Sequence, residues 1–169
     1  SISKKLDKMF DVTTVAAKMT DVPGHTKAII PLLEEDGIKL LHIGVNPASA
    51  VPDVPEIFNW KAEDGSKITI MYNADYGVKT PISDDTLLYF AHAGDNLPPP
   101  TPEDIKELFK ELSKEYPYAE IKASNLNEVA EIVSLNSDEL PIIDKEIGDT
   151  WIYGTGTDPK KVAQYRALL

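Results

Sequence analysis

Apolar and polar positions along the chain fall into alternating short blocks. Residues 3–10 read as a short helix ending. Thr13 to Thr20 is small or apolar at nearly every position, the pattern of a buried strand. Such a strand is expected to be covered on both faces and flanked on both sides. Asp21-Val22-Pro23-Gly24 breaks it. A helix is predicted from about His25 to Glu35, with Ile29, Ile30, Leu32 and Leu33 on its apolar side, Pro31 in its first turn and Gly37 closing it. Lys39 to Val45 is the next strand, followed by a Pro/Ala/Ser loop over 46–55.

Residues 57–62 and 67–73 flank Glu63-Asp64-Gly65-Ser66 and predict a β-hairpin. Thr86 to Ala93 reads as another buried strand, ended by Gly94-Asp95-Asn96. Thr101 is a natural N-cap, with Pro102 at the first helical position and Asp104 in the first turn. Ile105, Leu108, Phe109, Leu112 and Tyr116 then fall on one helical stripe. A short strand over 119–123 precedes a helix capped by Asn125, with Glu128 three residues on. Residues 141–154 read as extended, and Asp158-Pro159 opens a last helix that is expected to project away or pack on another chain. The alternation predicts an α/β fold with mostly parallel strands.

Composition narrows the function classes. Twenty-eight acidic against 17 basic residues give a formal charge of −11. A surface this acidic repels phosphate backbones, so no nucleic-acid partner is expected. No apolar run approaches the ~20 residues of a membrane span, so no membrane partner is expected and a soluble, cytoplasmic setting is favoured. Cysteine is absent, which removes disulfides and thiolate chemistry.

Ligands of parallel sheets gather at the carboxyl ends of strands. Asp21 and His25 follow the first strand, Asn46 the second, and His92, Asp95 and Asn96 lie at the end of the strand over 86–93. Two carboxylates converging from different strands suit glycoside hydrolysis: one attacks or stabilises the anomeric carbon, the other protonates the leaving oxygen. The plainer readings stand beside this. Asp before Pro-Gly is commonly a turn residue, and Gly94-Asp95-Asn96 is also a good turn. His42, in mid-strand, reads as a satisfied core histidine. Trp60, Trp151 and Tyr153 are candidate sugar contacts, although aromatics near strands more often pack the core.

At these residues the chain resembles the family 38 glycoside hydrolases, the α-mannosidase-like enzymes. Thr20-Asp21-Val22-Pro23-Gly24-His25-Thr26 resembles their D-x-F-G-H-S/T segment, and Pro31, Leu32 and Gly37 the helix after it. Phe58-Asn59-Trp60-Lys61-Ala62 with Asp64-Gly65-Ser66 is similar to an F-x-W-x-x-x-D-G-S hairpin. Gly94-Asp95-Asn96 with Pro100-Thr101 and Glu103 resembles G-D-x-x-x-x-P-T-x-E. Gly154-Thr155-Gly156-Thr157, Lys161 and Arg166 resemble the G-T-x-T-S…K…R entry into a helical domain. The motifs run in order from about residue 12 to 169, and the Glu146–Trp151 stretch suggests a divergent bacterial branch.

The resemblance implies part of a (β/α)7-type barrel, as in the glycoside hydrolase/deacetylase superfamily, over 1–154, with 155–169 starting a helical segment. It implies a retaining enzyme acting on α-mannoside-like carbohydrates, with Asp21 as nucleophile and metal ligand and Asp95 as acid/base. His25, Trp60, His92, Asn96, Trp151 and Tyr153 become candidate substrate contacts. The cofactor implied is zinc or another divalent cation. The family's H-x-D motif and a later histidine are absent, so most ligands are missing, and Val22-Pro23 replaces a Pro-Phe type pair. The chain therefore reads as a piece that works with the remainder of the same polypeptide or an oligomer, inactive when isolated. Two alternatives remain: a non-catalytic carbohydrate-binding or pseudoenzyme domain, and a metal-dependent polysaccharide deacetylase. The second is weakened because Ile29 stands four residues after His25, where an H-x-x-x-H pair would need histidine.

Overall fold

The computed structural model describes residues 1–22, 25–48, 50–92, 94, 96–148 and 158–168. The continuous apolar run around residue 40 forms the middle of a sheet. Strand β2 (Leu40–Gly44) is buried at every position, as befits a strand covered on both faces. It pairs in parallel with β1 (Ala16–Thr20) on one side and with β4 (Lys67–Asn73) on the other. Strand β3 (Ile57–Lys61) is antiparallel to β4, and β7 (Ile142–Ile143) runs parallel to β3. The sheet order is β1-β2-β4-β3-β7, and three of its four pairings are parallel. The expected α/β class is therefore present. Closure into a barrel is not seen among the described strands.

The pleat divides the core into two layers. Leu41, Ile43, Phe58, Trp60, Ile70 and Tyr72 face one way, and Ile30 of helix α2 (Ile30–Glu35) packs on them. Leu40 and Met71 face the other way, under Val129, Ala130 and Val133 of helix α4 (Leu126–Ser134). Burying each large aliphatic side chain contributes about 2 kcal/mol. Both layers together fix the register of the strands, because a one-residue slip would exchange the two faces.

The hairpin between β3 and β4 forms as predicted, with Gly65 at φ 95 and Asp64 Oδ1 accepting from the Ser66 amide. Helix α3 (Pro102–Glu115) begins with a full capping box between Thr101 and Asp104. Helix α4 is capped by Asn125, whose side chain accepts from the Asn127 and Glu128 amides. The segment before α2 differs from expectation: Lys27–Ile29 is a 3-10 turn, and Leu32 points to solvent while Ile29, Ile30 and Leu33 pack inward.

Two predicted strands need correction. Of the described residues 86–92, only β6 (Leu87–Tyr89) forms a paired strand. It joins β5 (Lys79–Pro81) in a separate two-stranded ribbon rather than the main sheet. The Ser83-Asp84-Asp85 turn folds this segment back on its predecessor, with Ile82 N–H bonded to Thr86 O. Its apolar side chains then lie over the sheet instead of within it. Residues 119–123 are not a strand; they are mostly exposed and have no partner strand.

Strand β1 has a neighbour on one side among the described residues, whereas the sequence pointed to neighbours on both. Asn127 of α4 takes up the outer edge where the strand starts. Its Oδ1 accepts from the Val15 and Ala16 amides, and its Nδ2 donates to Thr13 O. Helix α1 (Ile2–Phe10) precedes β1, and α5 (Pro159–Leu168) ends the described chain with every residue exposed. No described helix is long and apolar enough to cross a membrane.

Candidate functional site

Asp21 stands one residue beyond β1. Its N–H donates to Gly44 O at 2.9 Å, extending the parallel ladder by one bond. Its own backbone then turns left-handed, at φ 55. Asp tolerates this conformation better than most residues because its short polar side chain can bond locally. The partly buried carboxylate accepts from Asn46 Nδ2 at 3.4 Å, and the same amide donates to the Tyr76 hydroxyl at 3.2 Å. Asn46 Oδ1 meanwhile accepts from the Ala48 amide, which sets which way the side-chain amide points. Asp21, Asn46 and Tyr76 thus meet at the carboxyl ends of β1, β2 and β4, where α/β sheets bind ligands.

A second polar chain begins beneath Tyr76. Lys18 of β1 and His42 of β2 are lateral partners in the parallel register. Lys18 Nζ donates to His42 Nδ1 at 2.8 Å and to Tyr76 O at 3.1 Å. His42 Nε2–H donates to Asn73 Oδ1 at 2.8 Å, and Asn73 Nδ2 donates to Thr80 Oγ1 at 3.0 Å. Phe90 stacks on the His42 ring with centroids 4.5 Å apart, and the Lys18 ammonium lies 4.5 Å from the same phenyl centroid. Lys18 as a residue is exposed, and its tip rests against the His42 ring and the Phe90 face.

Burial of that tip lowers the Lys18 pKa to about 8, with Asp75 opposing the shift. Burial, and then the Lys18 charge, lower His42 to about 4. His42 is therefore neutral across the physiological range, with both ring nitrogens engaged. The sequence reading of His42 as a satisfied core histidine holds; Lys18 was missed. The available signal was a single lysine in an otherwise small and apolar strand, but its partner lies 24 residues away.

The other candidates are distributed unevenly. His92 reaches the same end of the sheet: its Nε2–H donates to Gly77 O at 2.9 Å, and its Nδ1 accepts from the Gly94 amide. Asn96 is exposed, with φ 56. A cavity of about 450 Å³ runs between His92, Pro98–Pro100 and the first turns of α3. Another, of about 290 Å³, opens at the opposite end of the sheet beside Lys39 and Lys67 and meets none of the predicted residues.

His25 is buried, and its backbone lies near Gly148. Trp60 has no exposed surface and donates its indole N–H to Lys145 O at 2.9 Å. It faces the α2 side of the core, so it packs the interior and presents no ring face to a sugar. Asp95, Trp151 and Tyr153 lie outside the described residues.

The cation that the resemblance implies would need several side-chain ligands close together. Among the described residues, no three His, Cys, Asp or Glu side chains gather to hold a metal ion. Among the described residues, the Asp21 carboxylate accepts from the Asn46 amide N–H, a donor and not a ligand. A zinc site wants three or four protein ligands, and these residues alone do not fit one.

Fold and site together define a mixed α/β sheet, largely parallel, with a polar cluster at the carboxyl ends of three parallel strands. No protein-family model matches the chain, and no curated protein matches it. Among solved structures, it is similar to an alpha-mannosidase from Enterococcus faecalis V583, with a TM-score of 0.60 at 14% sequence identity. The match covers 83% of this chain and 19% of that one. The chain thus spans about a fifth of the length of that protein, and at this identity the likeness is one of fold.

Proposed function

We propose that the chain is part of a retaining glycoside hydrolase acting on α-mannoside-like carbohydrates, with Asp21 as its nucleophile. The observation that carries this reading is the position of Asp21. It sits at the carboxyl end of β1, fixed by its bond to Gly44 O and directed by Asn46, on a fold similar to an alpha-mannosidase. In the reaction, the Asp21 carboxylate attacks the anomeric carbon while Asp95 protonates the departing oxygen. Asp95 then takes a proton from the water that releases the sugar. Asn46 holds the attacking oxygen in place. His92 and Asn96, on the segment that carries Asp95, contact the substrate. Any divalent cation would draw most of its ligands from the remainder of the polypeptide.

A second reading, a non-catalytic carbohydrate-binding domain, is favoured by the hydrogen bond that engages the Asp21 carboxylate with the Asn46 amide. Hydrolysis of an aryl α-mannoside by the longer polypeptide that carries this chain separates the two. The enzyme reading expects turnover, with retention of anomeric configuration. Asp21→Asn should reduce it by about a thousandfold or more. Binding of methyl α-mannoside without turnover would support the binding domain instead.

A further inference from the structure

We propose that Lys18 is a carbonyl-reactive amine, placed on β1, an edge strand among the described residues, to add to small aldehydes and form an imine. This goes beyond the glycosidase reading and does not depend on it. A lysine on an edge strand ordinarily sends its ammonium into water. The tip of Lys18, in a residue that is otherwise exposed, is instead held against the His42 ring, the Tyr76 carbonyl and the Phe90 face. None of the ion pairs within 4.0 Å among the described residues involves it. Lys27 and Lys79, by contrast, are held by Glu63 and Glu115, which raise their pKa values.

The partners of Lys18 are a neutral imidazole and a peptide oxygen. Such partners accept hydrogen bonds from an amine as well as from an ammonium. The charged and titratable groups that act on this pair are Asp75, His42 and, through His42, His92. The neutral amine has two N–H bonds, and the site offers two acceptors, His42 Nδ1 and Tyr76 O. Both hydrogens are then occupied and the lone pair points away from both acceptors. The buried chain from His42 through Asn73 to Thr80 fixes the imidazole that holds this geometry.

The chemistry balances without an oxidant or reductant. The ammonium first gives its proton to solvent; His42, with a pKa of about 4, is too weak a base to take it. The nitrogen lone pair forms a C–N bond to the carbonyl carbon as the C=O π pair moves to oxygen. A proton passes from nitrogen to that oxygen to give the carbinolamine. Loss of water leaves the imine, so amine plus aldehyde yields imine plus water.

The test is trapping with cyanoborohydride at pH 7 followed by peptide mapping, which separates Lys18 from the N-terminal amine. Glyceraldehyde serves as a free small aldehyde and mannose as the open-chain form of a reducing sugar. Trapping of Lys18 at least about tenfold faster than of the exposed Lys106 and Lys110 supports the proposal. Reaction with glyceraldehyde alone identifies free aldehydes as the ligand, and reaction with both extends it to reducing sugars. Lys18→Arg, which keeps the charge and the fold, should abolish the fast site. Asp75→Asn should speed it further, because Asp75 favours the ammonium. Lys18 trapped no faster than Lys106, or slowed by Asp75→Asn in a folded protein, would overturn the proposal.

Discussion

Lys18 Nζ lies 2.8 Å from His42 Nδ1, on neighbouring parallel strands that set the two residues side by side. Two basic side chains in contact cannot both hold a proton cheaply. The fully buried one stays neutral and the edge residue keeps the charge at neutral pH. This pair joins the two halves of the site, since Tyr76 accepts from Lys18 through its carbonyl and from Asn46 through its hydroxyl.

His42 makes stability depend on pH. Its folded pKa of about 4 lies below the ordinary value of 6.5. Between these values the unfolded chain binds the proton and the folded one does not, so stability rises with pH. The His42 contribution is complete above pH 6.5 and is lost as pH falls toward 4. It amounts to as much as about 3 kcal/mol. Urea unfolding at pH 7 and pH 4.5 measures the slope, and His42→Gln should flatten it. NMR showing His42 titrating near 6.5 in the folded protein would rule this out.

Asn127 should matter more than its position on a surface helix suggests. It satisfies two amides and one carbonyl at the start of β1. Asn127→Ala leaves the two partly buried amides without that partner, at a cost of about 1–3 kcal/mol. Asn127→Asp keeps the acceptor and should cost less. Equal thermal stability of the alanine variant and the parent would contradict this account of the strand edge.

Trp60 separates core from site. Trp60→Phe removes the bond to Lys145 O and part of a filled volume, and should cost about 1–3 kcal/mol. Because the ring has no exposed surface, methyl α-mannoside binding by the folded variant should be unchanged. A calorimetric titration showing weakened sugar binding without loss of stability would return Trp60 to the site.

Local signals carried most of the elements. The run Leu40 to Val45, the Asp64-Gly65 turn and the caps at Thr101 and Asn125 each follow from chemistry within a few residues, and all four formed. Thr86 to Ala93 misled because an apolar run specifies burial and not a partner; here the β5–β6 ribbon supplied it. Asp21 was legible as a residue at a parallel strand end. Lys18 was not, because its character comes from His42, Tyr76 and Phe90, which only the fold brings beside it.

Gly44 tests whether both halves of the site depend on one close approach. It is the last residue of β2. A Cβ there would lie 2.9 Å from Asp75 O and 3.0 Å from Tyr76 Cα. Both are backbone atoms, so the 75–76 loop would have to move rather than a side chain swing aside. That loop carries the Tyr76 carbonyl for Lys18, the Tyr76 hydroxyl for Asn46, and Asp75. Gly44→Ala should therefore cost about 1–3 kcal/mol through overpacking. It should also bring aldehyde trapping of Lys18 toward the rate of the exposed lysines. Gly65→Ala is the control. Its Cβ meets nothing within 4 Å, its φ of +95 makes the substitution strained, and it lies at the other end of β4. It should lose stability through the backbone while leaving Lys18 as reactive as before. If Gly44→Ala changes neither stability nor Lys18 reactivity, the loop is not braced against β2. Lys18 and Asp21 would then have to be treated as independent sites.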